Sequence, residues 1–233
     1  MKVRFFNWLG RDFVEISAAG QSGLAADSAT EQLFQRFEAE LKSRGLSLEN
    51  TVRIRVWGRD KDARTLATAA RSKILTGLRK AASSSFISQQ WFDCDANAGL
   101  ELLCMKPAAS AAERRPAEFE PPRNYLCYLR YDSVVFYSGY TSSADTVEEQ
   151  VAEILKTITG ARAISGALTQ DFKKTGRLSV FLHRSQKLGL VQELLAKESW
   201  IDLANVEFQL VDGFAGEKYL LEIEATALSS QRS

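Results

Sequence analysis

Two glutamates stand where this chain could carry out acid–base chemistry. Glu101 lies in the run Gly99-Leu100-Glu101-Leu102-Leu103-Cys104, and Glu222 in Tyr219-Leu220-Leu221-Glu222-Ile223-Glu224-Ala225, each among apolar neighbours. A carboxyl on such a strand either points outward from a sheet edge or faces an interface, where lost hydration raises its pKa toward the range of a useful general acid or base. Few other groups compete. The single histidine, His183, follows Val180-Phe181-Leu182 and reads as a strand-end surface residue, so a Ser/His/Asp triad or a multi-histidine metal site would rest on it alone. Cys94, Cys104 and Cys127 are odd in number and lack CxxC spacing, which suggests neither a disulfide framework nor a zinc site and fits a reducing cytoplasm.

Composition narrows the partners. The 233 residues are 45% hydrophobic and 25% charged, with a net charge of +1. That balance lacks the clustered basic surplus that phosphate binding requires, so no nucleic-acid partner is expected. Residues 1–7 hold no signal-peptide core, and no stretch approaches the roughly 18 apolar residues of a membrane span, so a cytoplasmic protein with no membrane partner is expected.

The elements that must position the glutamates occur twice. All four prolines, Pro107, Pro116, Pro121 and Pro122, fall in one segment that also holds Ala108-Ala109-Ser110-Ala111-Ala112. Such a stretch continues neither a helix nor a central strand. It divides the chain into a first domain at 1–107, a linker at 108–122, a second domain at 123–228 and a tail at 229–233.

The first arm opens with Phe13-Val14-Glu15-Ile16, then a helix expected from a capping box at Ser28 and Glu31, with a stripe of Leu33, Phe34, Phe37 and Leu41 and a stop at Gly45. The second repeats this with Val134-Val135-Phe136-Tyr137-Ser138-Gly139 and a capping box at Thr146 and Glu149. Its stripe is Val147, Val151, Ile154, Leu155 and Ile158, with a stop expected at Gly160. An alternating strand follows in each, at 52–57 and 178–182, and then a second helix, at about 66–78 and 190–198, before the glutamate strand. Shared order at an offset of about 120 residues indicates duplication, and the pattern predicts an α/β (α+β) unit with two helices on one face of a mixed sheet.

These landmarks resemble the RidA/YjgF (reactive intermediate deaminase) superfamily, whose members carry a Ser-Gly-Gln turn before the first helix, a valine-rich strand and a late Glu-Ile-Glu strand. Here they stand as Ala19-Gly20-Gln21, Val56 to Asp60 and Leu100-Glu101-Leu102, and again as Ser138-Gly139-Tyr140, Val180 to Arg184 and Leu221-Glu222-Ile223-Glu224-Ala225. The resemblance implies two tandem β-β-α-β-α-β-β domains, which pack as three-domain rings with sheets inward and ligand pockets at the domain interfaces. Two domains per chain then imply a homo-oligomer whose rings are built from both. It also implies cofactor-free and metal-free hydrolysis of reactive enamines or imines derived from small metabolites.

The family's site residues carry over to the second arm as Tyr125, Ser138, Gly139 and Glu222. In the first arm Phe6 and Ala19 replace the tyrosine and serine, and Glu101 alone remains. The family's carboxylate-binding arginine has no counterpart in either arm: Glu207 occupies its place in the second, and Ser83-Ser84-Ser85 in the first. Such an anchor, once truncated, typically costs about 2 to 5 kcal/mol. Three readings follow. Glu207 and Glu222 converge to suit a cationic ligand; or the pocket has lost its chemistry and the scaffold serves ligand binding or assembly; or an arginine such as Arg53, Arg55 or Arg59 replaces the anchor. Arg53 and Arg55 alternate with Val52, Ile54 and Val56, a pattern that ordinarily marks a solvated face or interdomain salt bridges. Ribonuclease activity, sometimes attributed to the family, fits poorly with the neutral charge.

Overall fold

The structure, a computed structural model, describes residues 1–107, 113–123, 125–166 and 169–229. The alanine-rich start of the expected linker and residues 230–233 of the expected tail lie outside them.

The first unit runs β1 (Lys2–Trp8), β2 (Arg11–Ala19), α1 (Ala26–Lys42), β3 (Thr51–Gly58), α2 (Lys61–Ile74), β4 (Ala82–Ile87) and β5 (Ala98–Lys106). Its sheet has the order β1-β2-β5-β3-β4, with β3 and β4 parallel and the other pairs antiparallel. The second unit runs β6 (Arg114–Ala117), β7 (Tyr128–Tyr131), β8 (Val134–Tyr140), α3 (Val147–Ser165), α4 (Thr169–Thr175), β9 (Arg177–His183), α5 (Leu188–Ala196), β10 (Val206–Val211) and β11 (Leu221–Leu228), in the sheet order β10-β9-β11-β8-β7-β6. The expected β-β-α-β-α-β-β plan is present twice.

Several expectations need correction. Part of the segment read as linker folds as β6, which tolerates Pro116 because it lies on the sheet edge and needs only one partner, β7. The helix α1 starts at Ala26, so Ser28 lies inside its first turn and no capping box forms there; the Ser28 N–H donates to Asp27 instead. The Thr146–Glu149 box does form. Gly160 does not stop α3, since an isolated glycine costs a helix only about 1 kcal/mol; the stop is Gly166, in the left-handed region at φ 76°. The helix α2 begins five residues earlier than the apolar stripe suggests, because Asp60 caps it by accepting from the Ala63 N–H at 2.8 Å.

Each unit buries its helices on one sheet face. In the first, Leu33, Phe34, Phe37 and Leu41 of α1 meet Val14, Ile16, Ile54, Val56, Leu100 and Leu102. In the second, Val151, Ile154, Leu155 and Ile158 of α3 meet Tyr137, Leu178, Val180, Ile223 and Ala225. The opposite sheet faces meet each other. Phe13, Val52, Ala82 and Met105 pack on Leu129, Val134 and Phe136 at one side of this interface, and Trp57 and Phe86 pack on Phe181 and Phe214 at the other. Between the two apolar patches Arg53 and Arg55 cross to the second unit.

Candidate functional site

The interface is organised around a bulge in β8. Ile223 pairs with Tyr140 and Ala225 with Tyr137, so Ser138 and Gly139 together oppose Glu224. A bulge turns consecutive residues that alternation would separate toward the same side. Ser138, fully buried, accepts from the Ser83 N–H of the other domain at 3.1 Å and so ties the two sheets together. Gly139 provides space: a Cβ there would overlap the Glu222 carboxyl and lie 2.5 Å from the Ser84 Oγ.

Glu222 therefore rests over a glycine with only 6% of its surface exposed. Burial pushes its carboxyl up to about 8; the neighbouring Glu224 pushes the same way, and Ser84, Arg64 and Arg55 oppose them. A carboxyl in that state is an acid near neutral pH. It opens into a cleft of about 780 Å³ between the domains, lined also by Arg64, Arg71, Ser84, Arg123, Tyr125 and Tyr219. That volume suits a ligand of drug-like size, larger than a three- or four-carbon imino acid.

The arginines come from α2. Arg64 and Arg71 are seven residues apart, hence two turns or about 10 Å along one helix face. They share the buried stripe with Ala63, Ala67 and Ala70, whose small side chains leave room for them. Alternation along β4 supplies their supports: Ser85 accepts from Arg64 at 3.0 Å, Ser83 accepts from Arg71 at 2.6 Å, and Ser84 turns toward Glu222 and Glu224. Burial lowers the pKa of both guanidiniums, Arg71 to about 10, which leaves them cationic at neutral pH. Arg123 adds a third cation; it donates to the Tyr125 Oη at 2.9 Å and stacks over Phe119.

The arginine-less cleft expected from the motif count is thus not what the structure contains. The motif position lacks arginine, yet Ser83, at the corresponding place in the first arm, receives a guanidinium delivered by the helix. Arg53 and Arg55 do not supply this clamp. Arg53 donates to the Tyr137 and Ala225 carbonyls and to Thr226, and Arg55 pairs with Glu224 at 2.7 Å and with Glu101 at 3.4 Å; both tie the two domains together, the second of the two meanings that their alternation left open, and the face is not solvated. Arg59 turns back to the carbonyls of Cys94 and Ala96.

The structure brings Glu222, Gly139 and Tyr125 to one cleft, with Ser138 beneath it. Glu207 is elsewhere. Strand register sets it level with Glu224 across β9, and there it is exposed and paired with Arg177 at 3.3 Å, so no Glu207–Glu222 pair forms. Glu101 is occupied on both oxygens, by Trp91 Nε1 at 3.2 Å and by Arg55. The Trp91 ring lies against Gly99 and stacks on Trp57. Among the described residues no cluster of three or more His, Cys, Asp or Glu could hold a metal ion, and no helix is long and apolar enough to cross a membrane.

No protein-family model matches this chain, and no curated protein matches it. A solved chorismatase matches 97% of this chain and 79% of its own length at 15% identity, with a TM-score of 0.64. A YjgF/YER057c/UK114-family protein from Mycobacterium tuberculosis covers 50% of this chain and 99% of its own at 24% identity and a TM-score of 0.43. A YjgF-family protein from Neisseria meningitidis covers 51% of this chain and 97% of its own at 19% identity and a TM-score of 0.40. The chain has the fold of two tandem RidA-like domains, shared along nearly its whole length with a chorismatase.

Proposed function

We propose that the interdomain cleft binds a small metabolite bearing a carboxylate and hydrolyses an enamine, imine or enol-ether link in it, without a cofactor. The observation that carries this reading is a carboxyl, Glu222, buried over Gly139 in a cleft that the buried Arg64 and Arg71 also line; that burial favours its acid form. Arg64 and Arg71 offer the positive charge that a carboxylate needs, each guanidinium oriented by two hydroxyls, Ser85 and Thr65 for Arg64 and Ser83 and Ser72 for Arg71. For an enamine or enol ether, Glu222 transfers its proton to the terminal carbon of the double bond. Water then adds to the resulting cation and returns a proton to Glu222, and the adduct collapses to a carbonyl with release of ammonia or an alcohol. An imine needs only protonation at nitrogen before the same addition. The cleft volume favours a substrate larger than a simple imino acid. The name of the chorismatase neighbour points the same way, since chorismate is a carboxylate with an enol-ether link.

The same proposal includes assembly of several chains into three-domain rings; light scattering that reports a strict monomer would contradict that part. The chemistry is tested by thermal-shift screening against carboxylate and amine metabolites, followed by turnover of the hits. We expect carboxylates to stabilise the protein, Arg71→Ala to weaken that stabilisation, and Glu222→Gln to remove turnover while binding persists. Stabilisation by amines alone would overturn the reading. Carboxylate binding with no turnover in the unaltered protein would leave a ligand-binding role in its place.

A further inference from the structure

The groups around Glu222 form an ordered set, of which the reaction as proposed uses only Arg64. From its own strand comes Glu224, on the same face two residues on; from β3 come Arg53 and Arg55; from β4, Ser84; from α2, Arg64; from β8, the side-chain-free Gly139. Glu224 is 1% exposed and takes three hydrogen-bonding contacts from Arg55, at 2.7, 3.1 and 3.2 Å, with Arg53 Nε at 3.3 Å. Two guanidiniums hold it as an anion despite its burial. Burial already disfavours the Glu222 anion and the charge on Glu224 adds to that, so the carboxyl with the guanidinium partners keeps the charge and the other keeps the proton.

We propose that Glu224, clamped by Arg53 and Arg55 of the other domain, is a positioning residue that keeps Glu222 in its acid form, so that the interdomain ion network sets the pH range in which the cleft works. This rests on the reading of Glu222 as a proton donor. Neither Glu224 nor Arg53 lines the cleft, so their influence passes through Glu222 and not through contact with substrate. Domain packing and acid strength are thereby linked: whatever shifts β3 against β11 changes the proton affinity of Glu222.

The test follows the Glu222 carboxyl by carbon-13 NMR in glutamate-labelled protein, with Glu222→Gln identifying the resonance. In the unaltered protein the titration midpoint is expected near 8. Glu224→Gln removes the like charge and frees two arginines, so the midpoint moves down by about one pH unit or more. Arg55→Gln moves it up. For a drop from 8 to 7, the acid fraction at pH 7.5 falls about threefold, and kcat falls with it while KM changes little. If Glu224→Gln does not fold, Arg55→Gln/Glu224→Gln removes the ion pair together and still lowers the midpoint. An unmoved midpoint in a folded Glu224 variant, or shifts of the same sign in Glu224→Gln and Arg55→Gln, overturns the proposal. The midpoints need no substrate, so a network confirmed by NMR in a protein without turnover would refute the hydrolase reading and not this one.

Discussion

Gly139→Ala is the most direct probe of the site's geometry. The added methyl overlaps the Glu222 Oε1 and Cδ and stands 2.5 Å from the Ser84 Oγ, where ordinary contact needs about 3.5 Å. Two rigid strands bound the site, so the side chain has to yield, and the carboxyl is displaced by about 1 Å or more. Misplacement on that scale costs a catalytic group about a hundredfold in rate, equivalent to about 2.7 kcal/mol of transition-state stabilisation. The overpacking itself costs the fold about 1 to 3 kcal/mol. The two effects separate in a double-mutant cycle with Glu222→Ala, read by urea unfolding and by turnover. Gly139→Ala alone is destabilised and about a hundredfold slower; in the Glu222→Ala background the same methyl enters vacated space and most of the stability loss disappears. Turnover of Gly139→Ala within threefold of the unaltered protein, or additive stability losses, would refute the placement of Glu222 over Gly139.

Stability should also depend on pH through Glu222. Folding raises its carboxyl from 4.5 to about 8, so the native state retains a proton that the unfolded chain releases; stability is full below about pH 4.5 and falls as pH rises toward 8. Relative to Glu222→Gln, the unaltered protein should lose about 3 to 5 kcal/mol between pH 4 and pH 9, measured by urea unfolding across that range. Arg53→Met strands three acceptors, the Tyr137 and Ala225 carbonyls and the Thr226 hydroxyl, and removes the lesser of the two cations beside Glu224, so a loss of about 3 to 5 kcal/mol is expected from chemical denaturation. Exposed Glu207→Gln should change stability by less than about 1 kcal/mol, because its partner Arg177 is itself half-solvated.

Much of the fold was legible because period and order survive in single sequences. The strand alternation of Ile54 and Val56 against Arg53 and Arg55, the stripes of α1 and α3 and the Thr146–Glu149 cap all correspond to observed elements, whereas Val52 leaves the expected face because the strand bulges between Thr51 and Arg53 and turns it to the interdomain side. Glu222 could be located from its apolar neighbours and its place on the last strand. The cationic side of the cleft could not. Counting along β10 and β4 asks which residue stands at a strand position, whereas the guanidiniums arrive through space from α2. One signal was available: Arg64 and Arg71 fall on the stripe of Ala63, Ala67 and Ala70, where a helix facing only a core would carry apolar residues. Glu207 misled for the opposite reason, since a motif count does not show that strand register sets it level with Glu224.

Duplication might suggest two equivalent binding events in each polypeptide. The engagement of Glu101 by Trp91 and Arg55 argues otherwise, since the first half has committed both oxygens of its carboxyl to contacts within its own domain. A calorimetric titration should accordingly reach equivalence at one ligand per chain, with a single class of affinity, however many chains assemble.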